Sequence, residues 1–166
     1  MDKFRGKKVK ILFVCLGNIC RSPMAEAIFR SLVKKAGLTE KFQIDSAGFS
    51  PQLEGHEYHP QTIRICEKYG IPVTGTSRPI TPADLLKSDY ILAMDEQIFD
   101  DLVALDDTEE FESKIRMMME FALEDFGDLN VPDPMGKSLE SFEHVFFLLS
   151  RSCEGLLGQL RVLENI

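Results

Sequence analysis

The stretch Val9 to Cys15 (VKILFVC) constrains the chain more than any other. It is apolar and β-branched almost throughout, which suits a strand buried on both faces of a parallel sheet and not one that alternates between core and water. The strand ends in Gly17 and Asn18. Ser22-Pro23 then offers an N-cap followed by proline at the first helical position, and Met24, Ala27, Ile28 and Val33 recur at helical spacing as far as Lys34-Lys35 and Gly37. The unit is strand, tight loop, helix. Because parallel strands need a crossover between them, further strand and helix signals should follow in alternation.

They do, more loosely. Phe42 to Ala47 reads as a second strand, Gln61 to Tyr69 as a helix stopped by Gly70 and Pro72, and Tyr90 to Met94 as a third strand. A helix over Glu96 to Leu105 and a fourth strand over Ile115 to Met119 come next, and Leu139, Phe142, Val145, Phe146, Leu149, Cys153, Leu156, Leu160 and Leu163 form the apolar stripe of a long last helix. This alternation predicts an α/β fold, a parallel sheet covered by helices on both faces, with ligands at the carboxyl ends of its strands. Cys15 stands at one such end. The segments Ser50 to Pro60 and Asp125 to Lys137 are the longest candidate loops, and loops of that length in a compact domain tend to carry function.

A chain of 166 residues with 44% hydrophobic content is long enough for one sizeable core and short for two, so a single domain spanning 1–166 is expected. The apolar run Val9 to Leu16 is too short for a signal-peptide core or a membrane span, which predicts a soluble, cytoplasmic protein with no membrane partner. The four cysteines, Cys15, Cys20, Cys66 and Cys153, then read as reduced thiols and not as a disulfide scaffold. His56, His59 and His144 lack cysteine or carboxylate partners at zinc-ligand spacing; they are expected on the surface, with no metal site and no cofactor. A net charge of −8 with scattered lysines argues against nucleic acid, and it repels anionic substrates at long range. Any phosphate must be drawn in by a local positive site.

CLGNICRS (Cys15 to Ser22) has the makings of that site. A short loop wrapped over a helix N-terminus turns successive backbone N–H groups inward into a concave anion site, which the helix dipole reinforces. Arg21 can add a planar two-pronged grip on phosphate oxygens that lysine would not reproduce. The same positive surroundings favour thiolate, the nucleophilic form of cysteine. Gly17 fits a point where the backbone bends or approaches the ligand, and Asn18 tolerates left-handed backbone angles while its amide ties the loop together. A cysteine and an arginine at this spacing are weak evidence alone. The preceding buried strand, the Gly-Asn interior and the Ser-Pro helix start make the whole motif specific.

The stretch ILFVCLGNICRSPMAEAIF closely resembles the phosphate-binding loop and first helix of the low-molecular-weight protein tyrosine phosphatases, and DSAG (Asp45 to Gly48), GIP (Gly70 to Pro72), SDYILAMDE (Ser88 to Glu96) and VPDP (Val131 to Pro134) follow in that family's order. The resemblance covers nearly the whole chain. It implies a three-layer fold with a four-stranded parallel sheet, the phosphate-binding loop after the first strand, and hydrolysis of phosphotyrosine monoesters in proteins or small molecules through a phosphocysteine. Cys15 would be the nucleophile, Arg21 the phosphate clamp and Asp133 the acid that protonates the leaving group. Leu16, Gly17, Asn18, Ile19, Cys20 and Ser22 would bind substrate, with Asn18, Ser22 and Ser46 as the loop's internal hydrogen-bonding supports. The resemblance further suggests that Cys20 captures an oxidised Cys15 as a disulfide, and the protein is expected to act as a monomer.

Asp133 precedes Pro134, which holds it in an extended or turn conformation on a loop. A phenolate leaving group has a conjugate acid of pKa about 10, so a placed carboxylic acid is worth roughly 10²- to 10⁴-fold. The chain departs from phosphotyrosine-preferring members at the pocket walls. Met135 and Gly136 stand where aromatic residues usually follow the DP motif, and Gln52 or Leu53 where a tryptophan stands; Phe49 and Tyr58 are the aromatic residues placed to substitute. A protein arginine phosphatase is the first rival reading. Met135-Gly136 leans towards it, while Ile19, where that branch carries threonine, leans towards tyrosine. An arsenate reductase on the same scaffold would need two further cysteines after the third strand, and Ala93 to Asp107 holds none. A phosphate-binding module without catalysis would have no need of nucleophile, clamp and acid together.

Overall fold

The computed structural model describes residues 6–166. Strand β1 spans Val9–Cys15 and lies inside the sheet, paired in parallel with β2 (Phe42–Gly48) on one side and β3 (Tyr90–Ala93) on the other. β4 (Ile115–Met117) extends the sheet beyond β3, giving the order β2-β1-β3-β4, all parallel. The apolar run Ile11 to Cys15 of β1 is explained by what covers it. Ile11, Phe13 and Cys15 face one core layer, while Leu12 and Val14 face the other.

Helices α1 (Arg21–Lys35), α2 (Pro60–Lys68) and α5 (Leu139–Leu163) supply the first layer, where Phe13, Phe29, Met24, Phe142 and Leu149 are fully buried. Helices α3 (Pro82–Lys87) and α4 (Glu96–Leu105) supply the second, through Leu85, Ile98 and Leu102 packed on Val14, Ile91 and Ala93. A three-layer α/β architecture with helices on both faces of a four-stranded parallel sheet is therefore what the chain forms. Among the described residues no helix is long and apolar enough to cross a membrane.

Four local features differ from the sequence reading. Helix α1 begins at Arg21 with Cys20 as its N-cap residue, so Ser22 sits inside the first turn and its hydroxyl is used by the loop instead of capping the helix. Helix α3 has no apolar periodicity long enough to read; it is set by a capping box in which the Asp84 carboxylate accepts the Thr81 N–H at 2.7 Å. The fourth strand stops at Met117, because Met118–Phe121 turn into a 3₁₀ helix whose Glu120 reaches back to the Met117 N–H at 3.1 Å. His59 is half-buried, stacked on Phe142 at 4.8 Å, and its Nδ1 accepts the Gln61 N–H to cap α2. His56 and His144 are exposed.

Candidate active site

The loop between β1 and α1 lies at the carboxyl edge of the sheet, the position favoured for ligands in open α/β folds. β2 runs close beneath it. A Cβ added to Gly48 would meet the Gly17 carbonyl carbon and the Leu16 oxygen at 3.0 Å, so only glycine lets the second strand pass under the loop this closely. The chain after β2 is stitched to the loop, with the Phe49 N–H donating to the Cys15 carbonyl at 2.9 Å and the Ser50 N–H to the Leu16 carbonyl at 2.8 Å. Among the described residues, the N–H groups of Gly17, Ile19 and Cys20 have no protein acceptor. These are the donors an anion would take.

Asn18 takes the left-handed backbone conformation, φ 54°, that the sequence anticipates at this turn. Its side-chain nitrogen donates to the Ser22 hydroxyl at 2.9 Å and the Ser46 hydroxyl at 3.0 Å, and its oxygen accepts the Arg78 N–H at 3.0 Å. Asn18, Ser22 and Ser46 are all buried. The Cys15 sulfur sits 3.0 Å from the Ser22 hydroxyl and accepts the Asn18 N–H at 3.3 Å, so a hydroxyl and a backbone donor converge on the atom expected to carry charge.

Arg21 is buried and borders the same cavity as Cys15. One end of its guanidinium, Nη1, donates to Asp95 at 2.6 Å and to the Val131 carbonyl at 2.9 Å, while Nη2 lies 3.9 Å from Asp133. Asp95 thus fixes the fork from behind and balances its charge, leaving the remaining donors for an anion in the cavity. Sequence reasoning missed Asp95, although it lies within the SDYILAMDE stretch directly after β3. Its carboxylate is also the N-cap of α4, accepting the Ile98 N–H at 2.9 Å.

Cys15, Leu16, Gly17, Ile19, Cys20 and Arg21 line the floor of one cavity of about 330 Å³, with Ser50, Gln52 and Leu53 on one wall and Asp133 and Met135 on the other. Three sequence-predicted residues, Cys15, Arg21 and Asp133, therefore meet around one space. Asn18 and Ser22 stand behind the floor as supports and do not line it. Both Gln52 and Leu53 reach the cavity, and Leu53 presses on the loop: a Cβ on Gly17 would come within 2.7 Å of its methyl. Neither aromatic candidate supplies a wall. Tyr58 is buried beneath Gly75, and Phe49 packs against the opposite core layer. The mouth is aliphatic. Cys20 is buried, and the loss of water around it, with the nearby Cys15 and Asp133, pushes its thiol up to about 12. All four cysteines are free.

A parallel sheet of this order, with a cysteine and an arginine on one loop over a helix N-terminus, puts a thiol nucleophile and a cation in one anion site, the combination that phosphoryl chemistry on sulfur requires. The family model for low molecular weight phosphotyrosine protein phosphatase matches residues 10–164, and the chain belongs to that family of phosphoric monoester hydrolases. It is 40% identical over 152 residues to the putative low molecular weight protein-tyrosine-phosphatase slr0328 of Synechocystis, covering 92% of this chain and 96% of that one. The crystal structure of YfkJ from Bacillus subtilis superposes with a TM-score of 0.89 at 39% identity, over 96% of this chain and 98% of the other. YwlE arginine phosphatase, solved as a Cys-to-Ser mutant with the active site serine phosphorylated, superposes with a TM-score of 0.80 at 29% identity, over 92% and 96% of the two chains.

Proposed function

We propose that the protein hydrolyses phosphotyrosine monoesters through a phosphocysteine. The observation that carries this reading is that Cys15, Arg21 and Asp133 all line one cavity. A phosphoryl group seated on the loop N–H groups and the Arg21 fork has its phosphorus above the sulfur. Sulfur attacks, the bond from phosphorus to the ester oxygen breaks, and Asp133 gives that oxygen its proton, so a phenol leaves and not a phenolate. The deprotonated Asp133 then takes a proton from water as water attacks the phosphocysteine, which releases inorganic phosphate and returns Cys15. A Cys-to-Ser mutant of YwlE solved with its active site serine phosphorylated supports a covalent intermediate at the nucleophile's position.

Cys15→Ser tests the reading. Turnover should be abolished while inorganic phosphate or vanadate still binds, because the backbone cradle and Arg21 survive the change. Retention of more than a trace of activity would sink the covalent mechanism. We also propose that Cys20, five positions along the same loop, captures an oxidised Cys15. Burial pushes the Cys20 thiol up to about 12, so the resting loop holds it protonated and slow to react.

The absence of any aromatic residue, among the described residues, from the lining of the cavity favours a second reading, protein arginine phosphatase. Leu16, Ile19, Leu53 and Met135 offer no aromatic face to stack on a phenyl ring, and a guanidinium substrate needs none. Ile19 keeps tyrosine first, because its side chain narrows the cavity and brings no hydroxyl to it.

A further inference from the structure

The Asn18 amide that shapes the phosphate loop is held inside a closed ring of hydrogen bonds. Its nitrogen donates to the Ser46 hydroxyl at 3.0 Å, and the Ser46 N–H donates to Asp45 Oδ1 at 2.8 Å. Asp45 Oδ2 accepts from Arg78 Nη2 at 2.8 Å, and the Arg78 N–H closes the ring on the Asn18 oxygen at 3.0 Å. A second carboxylate fixes Arg78 from the other side. Asp84 takes both prongs of the fork, at 2.9 and 3.0 Å, and is itself the third residue of the capping box that starts α3. The Arg78 carbonyl also accepts the N–H of Gly48, the strand residue lying directly under the loop, at 2.8 Å.

Asn18 needs holding. Its left-handed backbone is costly for a residue with a Cβ, and a freed side chain would let the loop relax and turn its N–H groups away from the anion. From this ring we infer that Arg78 is a positioning residue for phosphoryl transfer, acting through the Asn18 amide on the geometry of the cradle. Arg78 does not line the cavity, so its effect reaches the phosphate only through the loop. The inference rests on the phosphate-binding role proposed for that loop.

The test measures kcat/KM on para-nitrophenyl phosphate and the affinity for inorganic phosphate in Arg78→Ala, Arg78→Lys, Asn18→Ala and the double variant Asn18→Ala/Arg78→Ala, well below each melting temperature. Arg78→Ala should lose roughly 10- to 100-fold in kcat/KM, mostly in kcat, and bind phosphate more weakly, since small misplacements of a site carry costs of that order. Arg78→Lys keeps the charge but not the fork and should fall between. The double variant should be no worse than Asn18→Ala alone, because the two act in series. Additive losses, or a wild-type kcat/KM in Arg78→Ala, would overturn the proposal. If Arg78→Ala is too unstable to assay, Arg78→Lys in the same cycle with Asn18→Ala decides by the same rule. A wild-type protein that neither hydrolyses the ester nor binds phosphate would remove the phosphatase reading itself, which separates the two failures.

Discussion

On one side of the cavity Cys15 and Arg21 are nearly sealed, with 3% and 4% of their surface exposed, and each is held from two directions. On the other side Asp133 and Met135 are 49% and 44% exposed, and the Asp133 carboxylate is held by an Asx turn to the Met135 N–H at 3.1 Å and a 3.9 Å approach to Arg21. The difference follows from what each half must do. If phosphoryl transfer passes through the cradle as proposed, its donors should be in place before reaction and should not reorganise during it. In the proposed mechanism the acid would have to admit substrate, release a phenol and let water in behind it. A loop tied by few hydrogen bonds and open to solvent suits that task.

Breaking the exposed half should show as a defect in one chemical step. Asp133→Ala should slow phosphocysteine formation from phosphotyrosine by roughly 10²- to 10⁴-fold, with a smaller effect on a nitrophenyl or fluorinated phenyl ester whose oxygen departs unaided. Burst or single-turnover measurements are the place to look, because slow hydrolysis of the phosphocysteine would mask the step at steady state. A uniform loss across leaving groups, accompanied by lower thermal stability, would reduce Asp133 to a turn residue. Other carboxylates of the same loop are poorly placed to replace it. Asp125 and Asp128 accept the N–H groups of Gly127 and Asn130 in turns of their own, and neither lines the cavity.

Oxidation probes the buried half. If Cys20 traps an oxidised Cys15, wild-type protein treated with peroxide should recover under thiol several-fold more completely than Cys20→Ser, since a disulfide is reversible and further oxidation of sulfur is not. Equal recovery of both proteins would leave Cys20 as a small packed side chain, the role its burial and its elevated thiol already give it in the resting state.

The same division decides what the amino-acid sequence made legible. β1, α4 and α5 lie where hydrophobic pattern places them, and the Gly-Asn turn takes the left-handed geometry its residues allow, because burial and backbone sterics act locally. The start of α1 was displaced because Ser22, a good cap by type, is claimed by Asn18 and Cys15. Arg78 and Asp95 were invisible for a different reason. Each lies about sixty or seventy positions from the loop residue it supports, and nothing in a short window marks a hydrogen bond or an ion pair closed by the fold. Tyr58 and Phe49 show the converse error, since aromatic character alone does not tell a cavity wall from a core side chain.

The smallest effect concerns substrate choice, which rests on the exposed half. Met135 contributes its N–H to the Asp133 turn, and a side-chain replacement leaves that bond intact while changing the wall of the cavity. Met135→Tyr places an aromatic ring beside the entering phosphoryl ester. Ring-on-ring contact is worth about 0.5–1.5 kcal/mol beyond buried area, so kcat/KM for a phosphotyrosine peptide should rise about 2- to 10-fold. A matched phosphoarginine peptide should gain less, because the chief partner of the new face is another aromatic ring, although a guanidinium can also lie over it. Assayed side by side, the unaltered protein should favour phosphotyrosine, and the substitution should widen the preference. A wild-type preference for phosphoarginine would hand the site to the second reading. An equal gain on both peptides would show that the new ring adds only apolar area at the mouth, and the discriminating contact would then have to lie on the floor, with Ile19.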